Sequence, residues 1–405
     1  LTPRRAGSVA WVAVAVVLLA LTLRIAVASL SPLLTIISRD FALPAAVVGL
    51  IGMAPPVAFA LSGIVTPIIE RRVGLERLVL VAAIVAATTL GLRAMATDAW
   101  TLLAATAGVF ASVGVANVLI PAVVKKYFPE RVGLMTTVYT TTMAVATFTP
   151  PLVAVPLANA IGWRGSFAVW AFVGVAAVLP WVVTSLRARD GRDDIVEEPR
   201  AAVLSRVVRV PQAWALVLTF AVNSSVAYGM FAWLPAILID TAGVDAATAG
   251  SLLALFSFMG LPVALVVPLL VARLRRTTPF YALAVATGLA GVAGLLFAPG
   301  TATALWVVLI GLPPLMFPMV LVLFGLRTRS HETAVALSGF VQSLGYALAA
   351  LAPLTIGVAH EITGGWTAGL LVLGGAVVIV VPAAIVVARS ETIEEAWERR
   401  HGRAW

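Results

Sequence analysis

The sequence predicts an all-α integral membrane protein with twelve transmembrane helices in two six-helix, pseudo-symmetric bundles. Three observations carry that prediction. The chain is too apolar for water, its apolar runs have the length of a bilayer, and its two halves repeat one another. Of 405 residues, 61% are hydrophobic and only 11% charged, and the mean hydropathy is +1.06. Soluble domains carry about a quarter charged residues. A chain this oily needs a solvent as oily as itself.

A spanning helix takes about 20 mostly apolar residues. Between charge clusters and turn signals, twelve such segments can be drawn. Spans 1 to 6 cover roughly 9–37, 44–69, 76–97, 100–124, 132–160 and 163–186. Spans 7 to 12 cover roughly 211–239, 247–272, 278–298, 302–326, 333–360 and 366–388. Several exceed the minimum, which implies tilts or kinks. Arg4 and Arg5, an apolar run and Ala26-Val27-Ala28 together have the form of a secretory signal. The run continues to Ile37 with Arg24 inside it, which favours a first span.

Basic residues set the orientation. Of 27 lysines and arginines, 23 fall on one side of this layout, and only Arg24, Arg39, Arg93 and Arg164 do not. By the positive-inside rule both termini are cytoplasmic, and the expected location is a bacterial inner membrane crossed many times. Topology and contact with anionic lipid account for the net charge of +9, so nucleic acid is not an implied partner. With no cysteine and only three scattered histidines, disulfides, thiolate sites and metal clusters have no basis. No constellation points to an enzyme, and no cofactor is implied.

The longest loop, about 187–210, is mixed in charge and divides the spans six and six. The expected domains are 1–186, a cytoplasmic linker at 187–210, and 211–405. The halves match at an offset of 203: Trp11 with Trp214, Pro32 with Pro235, Pro150 with Pro353, and Trp163 with Trp366. Pro67 and Pro268 follow at 201. An internal repeat in a helical membrane chain marks a secondary transporter, with its site near the midplane between rocking halves.

Ionisable groups inside a bilayer are costly, so each needs a reason. The acidic residues all fall at span ends or in loops, and Arg24 lies near the centre of span 1. Arg93, about a turn from its span's end, is expected to snorkel to the interface, and Arg164 to anchor a loop. Arg24 with no carboxylate at its depth fits a transported anion held by the planar guanidinium fork. The alternative has Arg24 bonding a tyrosine, or carbonyls freed near Pro32, and joining the halves. Through the 203 offset, Tyr228 falls almost opposite Arg24. Asn223 on the same span, Gln342 and Tyr346 on span 11, and Tyr139 on span 5 share that depth. Asn117 on span 4 lies nearer the cytoplasm. Each alone reads as an interhelical hydrogen bond. As a set they read as a substrate cavity.

Arg24 followed by Ser31-Pro32-Leu33-Leu34 resembles the cyanate-porter branch of the major facilitator superfamily. So do Asn117 to Pro121, Lys125-Lys126-Tyr127-Phe128-Pro129, Trp233-Leu234-Pro235, Leu337-Ser338-Gly339 and Gln342 to Tyr346. The resemblance runs over essentially the whole chain. It implies the major facilitator fold and a small, anionic or polar nitrogenous solute, cyanate or nitroimidazole among them. The superfamily loop Gly-x-x-x-Asp-Arg-x-Gly is out of register here: Gly63 to Gly74 encloses Glu70-Arg71-Arg72. Glu70 then stands in as the gate charge beside Arg71, with Pro32, Pro235, Pro150 and Pro353 as bending points. No midplane carboxylate signals proton coupling, so uptake of an anion implies a co-transported proton or exchange for a counter-anion. The chain is expected to act as a monomer. The rival reading is efflux of hydrophobic drugs, which predicts tolerance of Arg24→Ala.

Overall fold

The computed structural model describes residues 3–187, 201–274, 276–402 and 405. The charged stretch 188–200 of the expected linker lies outside the described residues. Among those described, the elements are helices and no strand occurs. In lipid a helix satisfies its own backbone, so an all-helical outcome follows from the composition.

Among the described residues, eleven helices are long and apolar enough to cross a membrane. One of them, Val132–Arg187, holds 56 residues, about 84 Å at 1.5 Å per residue. That is more than twice the hydrocarbon thickness of about 30 Å. It is broken at Gly162 (φ 76°, ψ 160°), between the expected spans 5 and 6, so the spans number twelve. That backbone region is essentially restricted to glycine. Gly74 (φ 88°, ψ 152°) does the same between span 2, Ala45–Val73, and span 3, Leu75–Ala94.

Four spans are interrupted. Span 1 runs Pro3–Ala28, then a 3-10 turn at Ser31–Leu33, then Leu34–Ile37. Span 8 breaks between Ala246–Phe258 and Gly260–Leu274, and span 11 between His331–Ala349 and Leu351–Thr363. Span 10 breaks at Pro313–Leu315, between Thr303–Ile310 and Met316–Leu326. Proline removes a backbone donor and crowds the preceding turn. Pro32 sits in the break of span 1. Pro235, its partner in the repeat, does not break span 7, Pro211–Ala242. Span 4 is Ala99–Tyr127, span 9 Thr278–Phe297 and span 12 Thr367–Val387.

Polarity is turned inside out relative to a soluble domain. Phe172, Leu186 and Phe297 are exposed, as a lipid-facing surface requires, while Asn223, Thr219 and Arg93 are buried. The repeat has a physical counterpart. Trp163 at the head of span 6 donates its indole N–H to Asp40 Oδ2 at 2.8 Å, beyond the end of span 1. Trp366, just before span 12, donates to Asp240 Oδ2 at 2.9 Å, at the end of span 7. Arg164 adds an ion pair to Asp40 at 2.7 Å and stacks on Trp163, the loop anchor expected of it. These bonds hold the Asp40 carboxyl below the ordinary carboxylate range, the Trp163 bond first and Arg164 second.

The first six spans meet the last six through spans 2 and 11 and through spans 5 and 8. At the end remote from the arginine-rich loops, this seam is close-packed. A β-carbon at Gly52 would lie 2.7 Å from Ala232 Cβ and 2.8 Å from Pro353 Cβ. One at Gly250 would lie 2.7 Å from the Pro151 carbonyl oxygen. The Ala46 N–H donates to Glu361 Oε2 at 3.3 Å across the same seam. On the arginine-rich side, helix Ile393–His401 folds back on the turn between spans 10 and 11. Its Ile393 N–H donates to the Arg327 carbonyl at 2.8 Å, and Arg329 bridges Glu395 and Glu398 at 3.2 and 3.1 Å.

Candidate functional site

Arg24 lies four residues before span 1 leaves helical geometry, on the face turned to span 7. Its guanidinium lies close to the hydroxyl of Tyr228, which in turn neighbours the hydroxyl of Tyr346 on span 11. Both tyrosines are buried, and Arg24 is partly exposed. No carboxylate pairs with Arg24 among the described residues.

Aromatic rings build the surroundings. Phe59 on span 2 lies 6.4 Å from the Tyr228 ring and 5.4 Å from that of Tyr346. Phe220 meets Tyr346 edge-on at 4.8 Å and Phe317 at 5.7 Å. Edge-on and tilted contacts in this range are the favourable ones. Gly345, next to Tyr346, leaves room for Phe220: a β-carbon there would lie 2.7 Å from its Cδ1. Spans 1, 2, 7, 10 and 11 thus converge on one guanidinium and two phenols.

The other expected residues are placed differently. Asn223 is buried on span 7; its amide nitrogen reaches Ser224 Oγ at 3.5 Å, and its Oδ1 has no partner. Gln342 spends one amide N–H on Ser338 Oγ of its own helix, at 2.7 Å. Tyr139 interacts with Thr136 one turn away, and Asn117 is half-buried. No hydrogen bond or ring contact joins Tyr139, Asn117 or Gln342 to Arg24 among the described residues. Pro353 offers its carbonyl to the Trp233 indole at 2.8 Å and packs against Gly49 and Gly52 of span 2. Pro32 touches Gly250 of span 8. Pro150 lies inside a continuous helix, Glu70 is buried on span 2, and Arg71 is exposed beside it.

One expectation is corrected. Arg93 does not snorkel: it is fully buried. Its Nη1 donates to the Ala26 carbonyl at 3.1 Å, and its guanidinium lies 4.9 Å from the Phe167 ring. The break after Ala28 explains the turn inward, because Ala26 has lost the intrahelical donor it would otherwise have at Leu30. A cation at that helix end also meets the negative pole of the helix. Pro32 is the only sequence signal of the freed carbonyl, and it does not say which arginine takes it. Phe59 was missed because nothing distinguishes it from the other span phenylalanines.

Arg93 lines a narrow cavity, partly open to solvent, between spans 1, 2, 3, 4 and 7. Ser31, Thr106, Phe110 and Tyr228 also line it.

The family model of the Major Facilitator Superfamily matches residues 16–353. The chain belongs to the major facilitator superfamily. As a member it is a membrane transporter of small solutes and not an enzyme. The 2-nitroimidazole transporter of Escherichia coli (strain K12) is 31% identical over 358 residues, 88% of this chain and 90% of that one. The cyanate transport protein CynX of the same organism is 29% identical over 264 residues, 63% of this chain and 65% of that one. The resemblance to the cyanate-porter branch is therefore met by sequence. In three dimensions the fold matches a bacterial homologue of the human lysosomal transporter Spinster, with a TM-score of 0.72 at 16% identity, over 100% of this chain and 99% of that one.

Proposed function

We propose that this major facilitator transporter moves a small, anionic or polar nitrogen-containing solute, of the cyanate or nitroimidazole kind, by alternating access. The observation that carries the reading is Arg24: a guanidinium without a carboxylate partner, beside Tyr228 among aromatic walls contributed by both sets of six spans. A weakly hydrated anion gains charge-assisted bonds from the fork and hydroxyls, while the rings dehydrate it. The relatives' substrates, cyanate and 2-nitroimidazole, are small, flat and nitrogenous, and fit the same chemistry.

In this reading Tyr228 and Tyr346 orient the solute from the far side. Asn223, with its unpartnered Oδ1, supplies a further polar group, and Gln342, Tyr139 and Asn117 join when the halves rock. Residues 1–186 and 211–405 move as the two bodies about the linker at 187–210. Glu70 and Arg71 guard one entrance, and Pro32, Pro235, Pro150 and Pro353 shape the helices that close. The 23-to-4 bias of basic residues supports a reading with both termini in the cytoplasm of a bacterial inner membrane, and in this reading the chain acts as a monomer. Anion uptake opposes about 2.3 kcal/mol per charge per 100 mV, so inward movement requires a proton or a counter-anion.

The test is thermal unfolding of purified protein with cyanate and with 2-nitroimidazole, for the wild type and Arg24→Ala. A ligand at about 100 times its Kd stabilises by about 2.7 kcal/mol. Stabilisation of the wild type and not of a folded Arg24→Ala is the expected result. The largely apolar cavity walls, Leu30, Ile51 and Phe231 among them, favour hydrophobic drug efflux as the second reading. Equal stabilisation of both proteins by hydrophobic compounds would establish that reading in place of the first.

A further inference from the structure

Arg93 is a fully buried cation whose only protein hydrogen bond uses one of its three nitrogens. Nε and Nη2 have no partner. Two hydroxyls on the same cavity, Ser31 Oγ and Thr106 Oγ1, are also buried and unpartnered. Buried polar groups are nearly always satisfied, so four unsatisfied groups around one hollow ask for a common explanation. Threonine in a helix commonly bonds back to the preceding turn, and Thr106 does not. No acidic side chain lines the cavity.

We infer that this cavity is a second anion site, in which Arg93, Ser31 and Thr106 hold a small linear or planar monovalent anion. It rests on the anion reading of Arg24 and extends it. Two guanidinium nitrogens and two hydroxyls, from spans 3, 1 and 4, belong to side chains lining the same cavity. Phe167 covers one face of the guanidinium, and Phe110 and Leu30 line the cavity. So few donors in so apolar a wall suit a weakly hydrated ion. Sulfate or phosphate needs more bonds to replace its water. Tyr228 belongs to both sites, lining this cavity of Arg93 while its hydroxyl lies close to Arg24.

Azide tests this. It is a linear triatomic anion, isoelectronic with cyanate, that does not react with lysine, and its infrared stretch reports its surroundings. The purified chain should show two bound-azide bands. Arg24→Gln should remove one. Thr106→Val, a near-isosteric change that keeps Arg93 and the helix, should displace the other and weaken its azide by about tenfold, the loss of one hydrogen bond to a charged group. Arg93→Lys, which keeps the charge and loses the fork, should displace that band too. A single band that vanishes in Arg24→Gln and ignores Thr106→Val, Ser31→Ala and Arg93→Lys, in variants that unfold at the wild-type temperature, would leave Arg93 as a helix cap alone. No bound band in the wild type would remove the anion reading of Arg24, and this inference with it.

Discussion

Two aspartates receive an indole N–H at equivalent corners, but only Asp40 also carries an arginine. The Asp40 carboxyl is held below its ordinary value of 3.8, so its contribution to stability is present above that value and is lost as pH falls through the lowered one. The unfolding temperature should drop on acidification in that window. Trp163→Phe, which removes the largest of the bonds that hold the carboxyl down, should flatten the drop; because Trp163 is itself buried against Phe41 and Phe167, it should also lower the unfolding temperature at neutral pH, so the acid drop is read relative to each protein's own neutral value. Thermal unfolding across the acid range checks both. At this scale the sequence was half legible. A tryptophan and an aspartate at each corner are visible as letters, and the offset of 203 pairs the tryptophans, but the aspartates sit at different offsets and nothing linear joins Trp163 to Asp40. Arg24 was legible because mid-span charge is rare. Arg93 was misread because its distance from the helix end says nothing of which way a side chain leaves the helix.

Helices were the most legible level, because bilayer thickness fixes their length before any packing is known. The breaks were less so. Pro32, Pro313 and Pro314 interrupt their helices and Pro235 and Pro150 do not. At the break in span 1, Arg93 takes up the Ala26 carbonyl that the helix end leaves free. The turn between spans 5 and 6 is a single residue, so its cost falls on one φ. Gly162→Ala has open space for its methyl and only backbone strain to bear. It should destabilise by about 1–3 kcal/mol, with the helical content of the folded protein unchanged by circular dichroism. Gly91→Ala, also in open space and in an ordinary helix, is its control and should be neutral or slightly stabilising.

The whole molecule is held in one arrangement by a seam that is tight at the end remote from the arginine-rich loops. If the halves rock, that seam must part. The chain has no cysteine, so Ala46→Cys with Glu361→Cys introduces the only thiols. A short bifunctional thiol reagent should link them across the seam and stop solute flux in vesicles, and reductive release should restore it. Flux that persists in the linked protein would show that this seam never opens. The global arrangement was legible from the repeat, which foretold a central interface, whereas the side at which the interface is shut lay beyond it. A sequence with two equivalent packings carries the instructions for both.

Glycine and proline backbone does most of the sealing at that end, with a single hydrogen bond to a carboxylate beside it. Such a barrier is a matter of fit, and it has almost no ionic atmosphere to be thinned or thickened. Ionic strength acts on charges within a Debye length of one another, about 8 Å in physiological salt, and finds little to act on here. Transport by this protein should therefore keep its opening rate in fresh and in salty media alike, and answer instead to whatever changes the lateral squeeze of the surrounding lipid.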